Sequence, residues 1–329
     1  MTKKVTDRIG NALESVQQTI REFFSELDEL VDQSMNKASL LFESASEMRI
    51  DAREWVRRQW PASANGAAQA PTADQIDQLA RGIAPVVWLL GKTGAGKSSI
   101  VAALTGASHA VVGDRLRPCT RTTSRYDLPV STPIVSFLDT RGLEEPDYDP
   151  LIDIDLCLKE ADLIIAVVRA SDPAQTGVLH ALQLARKAKP QAPIIIAHTD
   201  LHRSYQLGAD HPPSYAFDRN SHPFAEANVP RQLVAQLANQ RSIFAGLKGA
   251  KPLFVPIDFT QAEDGFTQTD YGKQELVTAI LSAAPGSVQR VMRVRLQQEK
   301  TGATEEQVRA AYVALLADAF ASVQRERQT

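Results

Sequence analysis

The sequence predicts an α/β fold: a mostly parallel six-stranded sheet with one antiparallel edge strand, helices on both faces, and a helical segment at each end. Three observations predict it. Short apolar runs of strand length alternate with helix-length stretches from Pro85 to about residue 285. The runs near 122–128 and 133–138 are separated only by the turn from Pro129 to Pro133, too short for a crossover, so these two strands pair antiparallel. The other runs are separated by helices, which makes right-handed parallel crossovers.

In order, residues 1–60 read as a helical segment. Residues 4–60 hold no proline and only one glycine, Gly10. Ile9, Leu13, Val16, Ile20, Phe23, Leu27 and Leu30 recur at steps of four and three, an apolar seam of about three heptads. The seam suits a helix folded on its own domain and a coiled coil equally. Arg53, Arg57 and Arg58 with Trp55 and Trp60 close the segment as a packed helix end with solvated arginines; lipid headgroups are the second reading of this cluster. Residues 61–84 form a small-residue linker and a short helix.

Within 85–285, strands are expected near 85–90, 122–128, 133–138, 162–168, 192–197 and 252–256, and helices near 97–105, 150–160, 175–188, 230–247 and 272–284. Residues 201–229 interrupt the alternation with an insertion carrying His202, His211 and His222, whose spacings match no zinc pattern. Residues 286–329 are helical again. Thr304 and Gln307 make a capping box, and Val308, Tyr312, Leu315, Leu316, Phe320 and Val323 line one side of the helix it opens. That side needs a partner surface, and the N-terminal seam is the candidate.

The most informative stretch is Gly91-Lys92-Thr93-Gly94-Ala95-Gly96-Lys97-Ser98, which matches every fixed position of G-x-x-x-x-G-K-[ST]. An apolar strand, Pro85 to Leu90, leads into it, and a helix from Ser99 leads away. Strand, glycine-rich loop and helix place a nest of backbone N–H groups at a positive helix end, which binds phosphate. Lys97 is positioned to reach the β/γ-phosphates and the Ser98 hydroxyl to ligate Mg²⁺. Asp139-Thr140-Arg141-Gly142 ends a second strand about forty residues later, the D-x-x-G arrangement of GTPases. There Asp139 holds Mg²⁺ through water and the Gly142 N–H meets the γ-phosphate. Between them, Thr120 is the first candidate to close over Mg²⁺, and Thr122 the second. After the strand at 193–197 the base-reading motif [NT]-K-x-D is degenerate: Ala197 and His198 replace its first two residues. Asp200 remains to accept the two guanine donors, and His198 is left to stack on the base.

Together these residues resemble the TrmE–Era–septin-like, or HSR-type, GTPases, and most of all the bacterial Era-like members, over residues 85–285. The resemblance implies a Ras-like P-loop GTPase domain that binds GTP or GDP and Mg²⁺ through Gly91 to Ser99, Thr120, Asp139, Gly142, His198 and Asp200. Three departures qualify it. The closing [ST]-A-[KL] loop is replaced by Ile257-Asp258-Phe259-Thr260. Gly94 stands where potassium-activated relatives carry asparagine, so potassium stimulation is not expected. Leu143 stands where Ras-like enzymes carry the water-orienting glutamine, which implies slow intrinsic hydrolysis.

The net charge of −3 with interspersed signs implies no general attraction to nucleic acid. Two cysteines, Cys119 and Cys157, suit a reducing compartment, and neither a secretory leader nor a long apolar run is evident, so a cytoplasmic protein is expected. The expected partners are a guanine nucleotide and, through the helical ends, a protein or a second copy, with peripheral membrane contact open. A switch GTPase is the first reading, a pseudo-GTPase scaffold the second and an ATPase of another P-loop class the third.

Overall fold

A computed structural model describes residues 45–59, 71–105, 117–118, 123–128, 132–140 and, with short gaps, 154–326. The seam Ile9–Leu30, the linker, and the segments holding Cys119, Thr120, Thr122 and Arg141 to Glu145 lie outside the described residues. The chain divides into two compact units, residues 80–296 and a helical unit drawn from both ends, 1–79 with 297–329.

In the helical unit, α1 (Ala45–Gln59) packs against α7 (Glu305–Glu326). Met48, Ala52 and Val56, one helical turn apart, are buried on α1, as are Val308, Tyr312, Leu315, Phe320 and Val323 on α7. The expected apolar side of the last helix is therefore real, and its partner among the described residues is α1. Glu326 pairs with Arg53 and Arg57, and Arg58 with Glu54; these are exposed ion pairs of small energetic weight. The predicted capping box forms: Gln307 N donates to Thr304 Oγ1 at 3.2 Å, and Thr304 N to Gln307 Oε1 at 3.0 Å. A second box, unforeseen, opens α2 (Ala73–Ile83) with Thr72 and Gln75.

The larger unit carries a sheet of seven strands in the order β2-β3-β4-β1-β5-β6-β7. They are β1 Val86–Leu90, β2 Arg117–Pro118, β3 Thr123–Leu128, β4 Val135–Thr140, β5 Leu163–Arg169, β6 Ile194–Thr199 and β7 Leu253–Pro256. The expected Ras-like α/β plan holds, with β3 antiparallel to β4 and parallel pairing from β4 through β7. One detail differs. The two-residue β2 pairs antiparallel outside β3, so β3 is not the edge and the sheet has seven strands. Two residues are too short to carry a periodic signal. The helices are α3 Lys97–Thr105, α4 Thr176–Ala188, α5 Arg231–Phe244 and α6 Lys273–Ala283.

The central strands are near-continuous apolar runs because both their faces are covered; β1 and β6 are buried at every residue. Beside them β3 buries Tyr126, Asp127 and Leu128 in succession. Asp127 is buried there and accepts from Ser136 Oγ at 2.7 Å, Arg125 Nε at 2.9 Å and Arg81. Burial alone would raise its carboxyl, but Ser136, Arg125 and Arg81 outweigh it and hold it below the ordinary carboxylate range. Strand order reverses at β1, which lies between β4 and β5, so the crevice for a ligand opens at the C-terminal end of β1.

Candidate functional site

Residues 91–96 link β1 to α3 at that crevice. The turn is closed by Ala95 N donating to Lys92 O at 3.1 Å, and Ile100 N to Gly96 O starts the helix. Gly91 lies so near β5 that a Cβ there would stand 2.4 Å from Val167 O. Gly94 has φ +72°, the left-handed region that favours glycine. Thr93, Gly94 and Ser98 are exposed.

Lys97 folds back over the loop. Its Nζ donates to Gly91 O at 2.8 Å and Lys92 O at 3.0 Å and lies 3.5 Å from Asp139 Oδ1. Leu89 pairs with Asp139 across the β1–β4 ladder, so the register of two parallel strands brings the loop lysine and the strand-end carboxylate together. The exposed Ser98 hydroxyl and the Asp139 carboxylate are hard oxygen donors of the kind that suits Mg²⁺.

Two groups that hold the loop were not read from the sequence. Arg169, the last residue of β5, donates from Nη2 (2.7 Å) and Nε (3.1 Å) to Gly94 O. Buried Gln240 of α5 braces this corner by donating to Arg169 O and Asp172 O. Lys92 pairs with Asp172 at 2.9 Å. Burial would raise the Asp172 carboxyl, but Lys92 and the Ala174 N–H prevail and hold it low. Thr199, the last residue of β6, donates from Oγ1 to Ala95 O at 2.7 Å. No spacing rule marks Arg169; Thr199 carried a signal, being a threonine at the end of the base-side strand.

The structure corrects the expectation for His198. Its ring is wholly buried, parallel to Phe254 with centroids 5.8 Å apart, and its Nδ1 lies 3.4 Å from Ser221 Oγ. Desolvation, helped by the Arg241 cation, pushes it down to about 3, so it is a neutral core histidine and not a base-stacking one. Asp200 does face the loop. It adopts φ 63° and accepts from Arg203 Nε at 2.8 Å and Ser171 Oγ at 3.2 Å. A cavity of about 160 Å³ joins Gly94, Gly96 and Thr199 to Asp200, His202 and Asp258.

Asp258 stands where the closing loop is altered, and it is 4 % exposed. It accepts from His202 N at 2.6 Å, from His202 Nδ1 at 2.9 Å and from His211 Nε2 at 3.0 Å. The insertion is thus tied to the loop after β7. It has its own small core of Leu201, Ala216 and Phe217 against Leu233, Leu237 and Tyr271. A larger cavity of about 1010 Å³ also lies against the insertion, between Ser204 and Gln232, and shares no lining residue with the phosphate loop.

Residues 86–199 match the family described as 50S ribosome-binding GTPase. They form a P-loop GTPase domain of the HSR type. Over 126 residues the chain is 29% identical to a tRNA modification GTPase MnmE from a Nitratiruptor species, covering 37% of this chain and 28% of that protein. It is 34% identical to Escherichia coli (strain K12) YkfA over 107 residues, 31% of this chain and 36% of that one. The same identity holds over 105 residues of YfjP from the same strain. The chain spans about a third of the length of these curated relatives. The G domain of the T. maritima FeoB iron transporter overlaps 60% of this chain and 98% of its own at 17% identity, with a TM-score of 0.33.

Proposed function

We propose that this protein is a Mg²⁺-dependent GTP-binding switch that hydrolyses GTP slowly to GDP and phosphate. The observation that carries this reading is the Lys97–Asp139 pair at the mouth of the phosphate loop, 3.5 Å apart on adjoining elements. A bound triphosphate draws the Lys97 ammonium off the loop carbonyls, while the loop amides take the phosphate oxygens. Ser98 and Asp139, with Thr120, would hold Mg²⁺, which would supply positive charge to the transferred phosphoryl group. Gly142 meets the γ-phosphate, and release of Thr120 and Gly142 after hydrolysis passes the signal on. Leu143 has no group to orient water, so turnover is slow until a partner or a second copy supplies one. The output runs through the helical ends to a protein partner or a second copy, in the cytoplasm; a membrane surface is the lesser alternative.

The test is single-turnover hydrolysis of GTP by purified protein with and without magnesium. Slow, magnesium-dependent release of phosphate, lost in Lys97→Ala, is expected. Rapid turnover by dilute protein alone overturns the slow-switch reading. Leu143 also favours a second reading, a nucleotide-binding scaffold without hydrolysis. Tight GTP binding with no phosphate released above the Lys97→Ala control would decide for it.

A further inference from the structure

We propose that the nucleobase is read by His202, positioned by the buried Asp258 carboxylate, with the base-reading motif beginning at Thr199. The inference rests on the nucleotide-binding reading of the phosphate loop and adds the group that selects the base.

Register is the first ground. The motif opens on Asn or Thr and reads the base three residues later. Aligned on Asp200, it would open at Ala197, a wholly buried residue with no polar side chain. The residue of the right type is Thr199, and its hydroxyl ties the end of β6 to the phosphate loop through Ala95 O at 2.7 Å. Three residues on stands His202, in the short 3₁₀ turn Leu201–Ser204, lining the same cavity as Gly94 and Gly96.

Orientation is the second ground. Asp258 accepts from both the backbone N–H and the ring Nδ1 of His202, so backbone and ring are fixed by one buried group. The Phe266 ring, 5.4 Å away and edge-on, flanks the imidazole. A carboxylate only accepts, so Nδ1 carries the proton and Nε2 presents a lone pair in the neutral ring. Asp200 Oδ1 lies 3.4 Å from Nε2, beyond the normal range of an N–H···O bond, which leaves both atoms able to accept.

The chemistry follows. Guanine offers two adjacent donors, N1–H and the 2-amino group; adenine offers an acceptor at N1. Nε2 of His202 takes one guanine donor, and Asp200 Oδ1 beside it takes the other. Adenine leaves Nε2 facing a second acceptor, and a site built to receive a hydrogen bond rejects the base that lacks it. Two departures from the family pattern thereby account for each other: the altered loop after β7 supplies the carboxylate that a histidine at the reading position requires.

The experiment measures dissociation constants for GTP, ATP and inorganic tripolyphosphate, with magnesium, in wild type, His202→Ala, Asp258→Ala, the double variant and Asp200→Ala. Wild type is expected to prefer GTP. His202→Ala is expected to lower the GTP:ATP preference by about tenfold or more while tripolyphosphate binding stays at the wild-type value. Asp258→Ala is expected to do the same, and the double variant no worse than either single one, because Asp258 acts through His202. That non-additivity separates positioning from general structural support, and a failure of His202→Ala to fold leaves Asp258→Ala to decide. Asp200→Ala, which removes the acceptor for the other guanine donor, is expected to lower the preference too. Retention of the GTP preference in His202→Ala overturns the assignment to His202. Equal binding of GTP and ATP by wild type does so as well, and leaves the phosphate loop untouched. Absence of any triphosphate binding by wild type overturns the proposed function and this inference together.

Discussion

Gly91→Ala is the sharpest probe of how the phosphate loop is seated. An alanine Cβ at this position would stand 2.4 Å from Val167 O and 3.3 Å from Val167 Cβ. An ordinary carbon–oxygen contact is about 3.3 Å, so roughly 0.9 Å has to be found. Val167 cannot supply it. It lies in β5, wholly buried, with β1 hydrogen-bonded on one side and β6 on the other. The loop must therefore give way, and overpacking of this kind costs about 1–3 kcal/mol. If the strain is relieved by shifting the loop amides from their phosphate-binding positions, the same energy appears as roughly 5- to 150-fold weaker nucleotide binding. Urea denaturation and calorimetric titration with GTP and magnesium measure the two quantities. Gly246→Ala is the control, because a Cβ there meets nothing within 4 Å. Gly91→Ala with both midpoint and dissociation constant at the wild-type values would refute the reasoning that β5 fixes the loop from below.

Two further outcomes are expected. His198 is held neutral at about 3 in the fold against an ordinary 6.5, chiefly by desolvation, so the unfolded chain binds the extra proton first. Stability should be indifferent to this residue above pH 6.5 and fall as pH drops from there toward 3, by about 2 kcal/mol at pH 5. His198→Phe should remove that part of the acid sensitivity, and denaturation at pH 7 and pH 5 checks it. Thr304→Ala removes the cap of α7 and should lower the stability of the helical unit by about 1 kcal/mol, read by thermal melting; a change under about 0.3 kcal/mol would mean the end frays in the wild type.

Sequence patterns made the phosphate half of the site legible because its requirements are local. Six residues between Leu90 and Lys97 must turn tightly, and the residues that permit this are adjacent in the chain. The same holds for the helix cap at Thr304. The base half is assembled from β6, the insertion and the loop after β7, and depends on register. Here the pattern failed for a physical reason. Both faces of β6 are buried, so its apolar run shows no alternation to mark where the strand ends or which residue leaves it. Reading the motif from Ala197 stopped the strand two residues early and put His198 in the cavity. In the fold the strand continues to Thr199, and His198 packs on Phe254. Arg169, Asp258 and Gln240 act across more than fifty residues of sequence. Such pairings leave no trace in spacing.

The charges around the loop explain how a chain with net charge −3 can offer a site to a polyanion. Lys92, Lys97 and Arg169 converge on the loop, against the carboxylates of Asp139 and Asp172. The local balance is one positive charge, supplemented by the amide dipoles at the start of α3. Each cation has a different task. Arg169 and Lys92 are committed to protein partners, Gly94 O and Asp172, and hold the loop in shape before a ligand arrives. Lys97 rests on two neutral carbonyl oxygens, and its one anionic neighbour, Asp139, stands 3.5 Å off, farther than the direct contact a phosphate oxygen can make. It is thus the cation whose contacts a triphosphate can replace with a net gain in free energy, and under the proposed function its departure would turn Asp139 toward Mg²⁺. Under the proposed function, preorganisation by two fixed cations and exchange by a third would let one short loop be rigid enough to select phosphate and still report its arrival to β4.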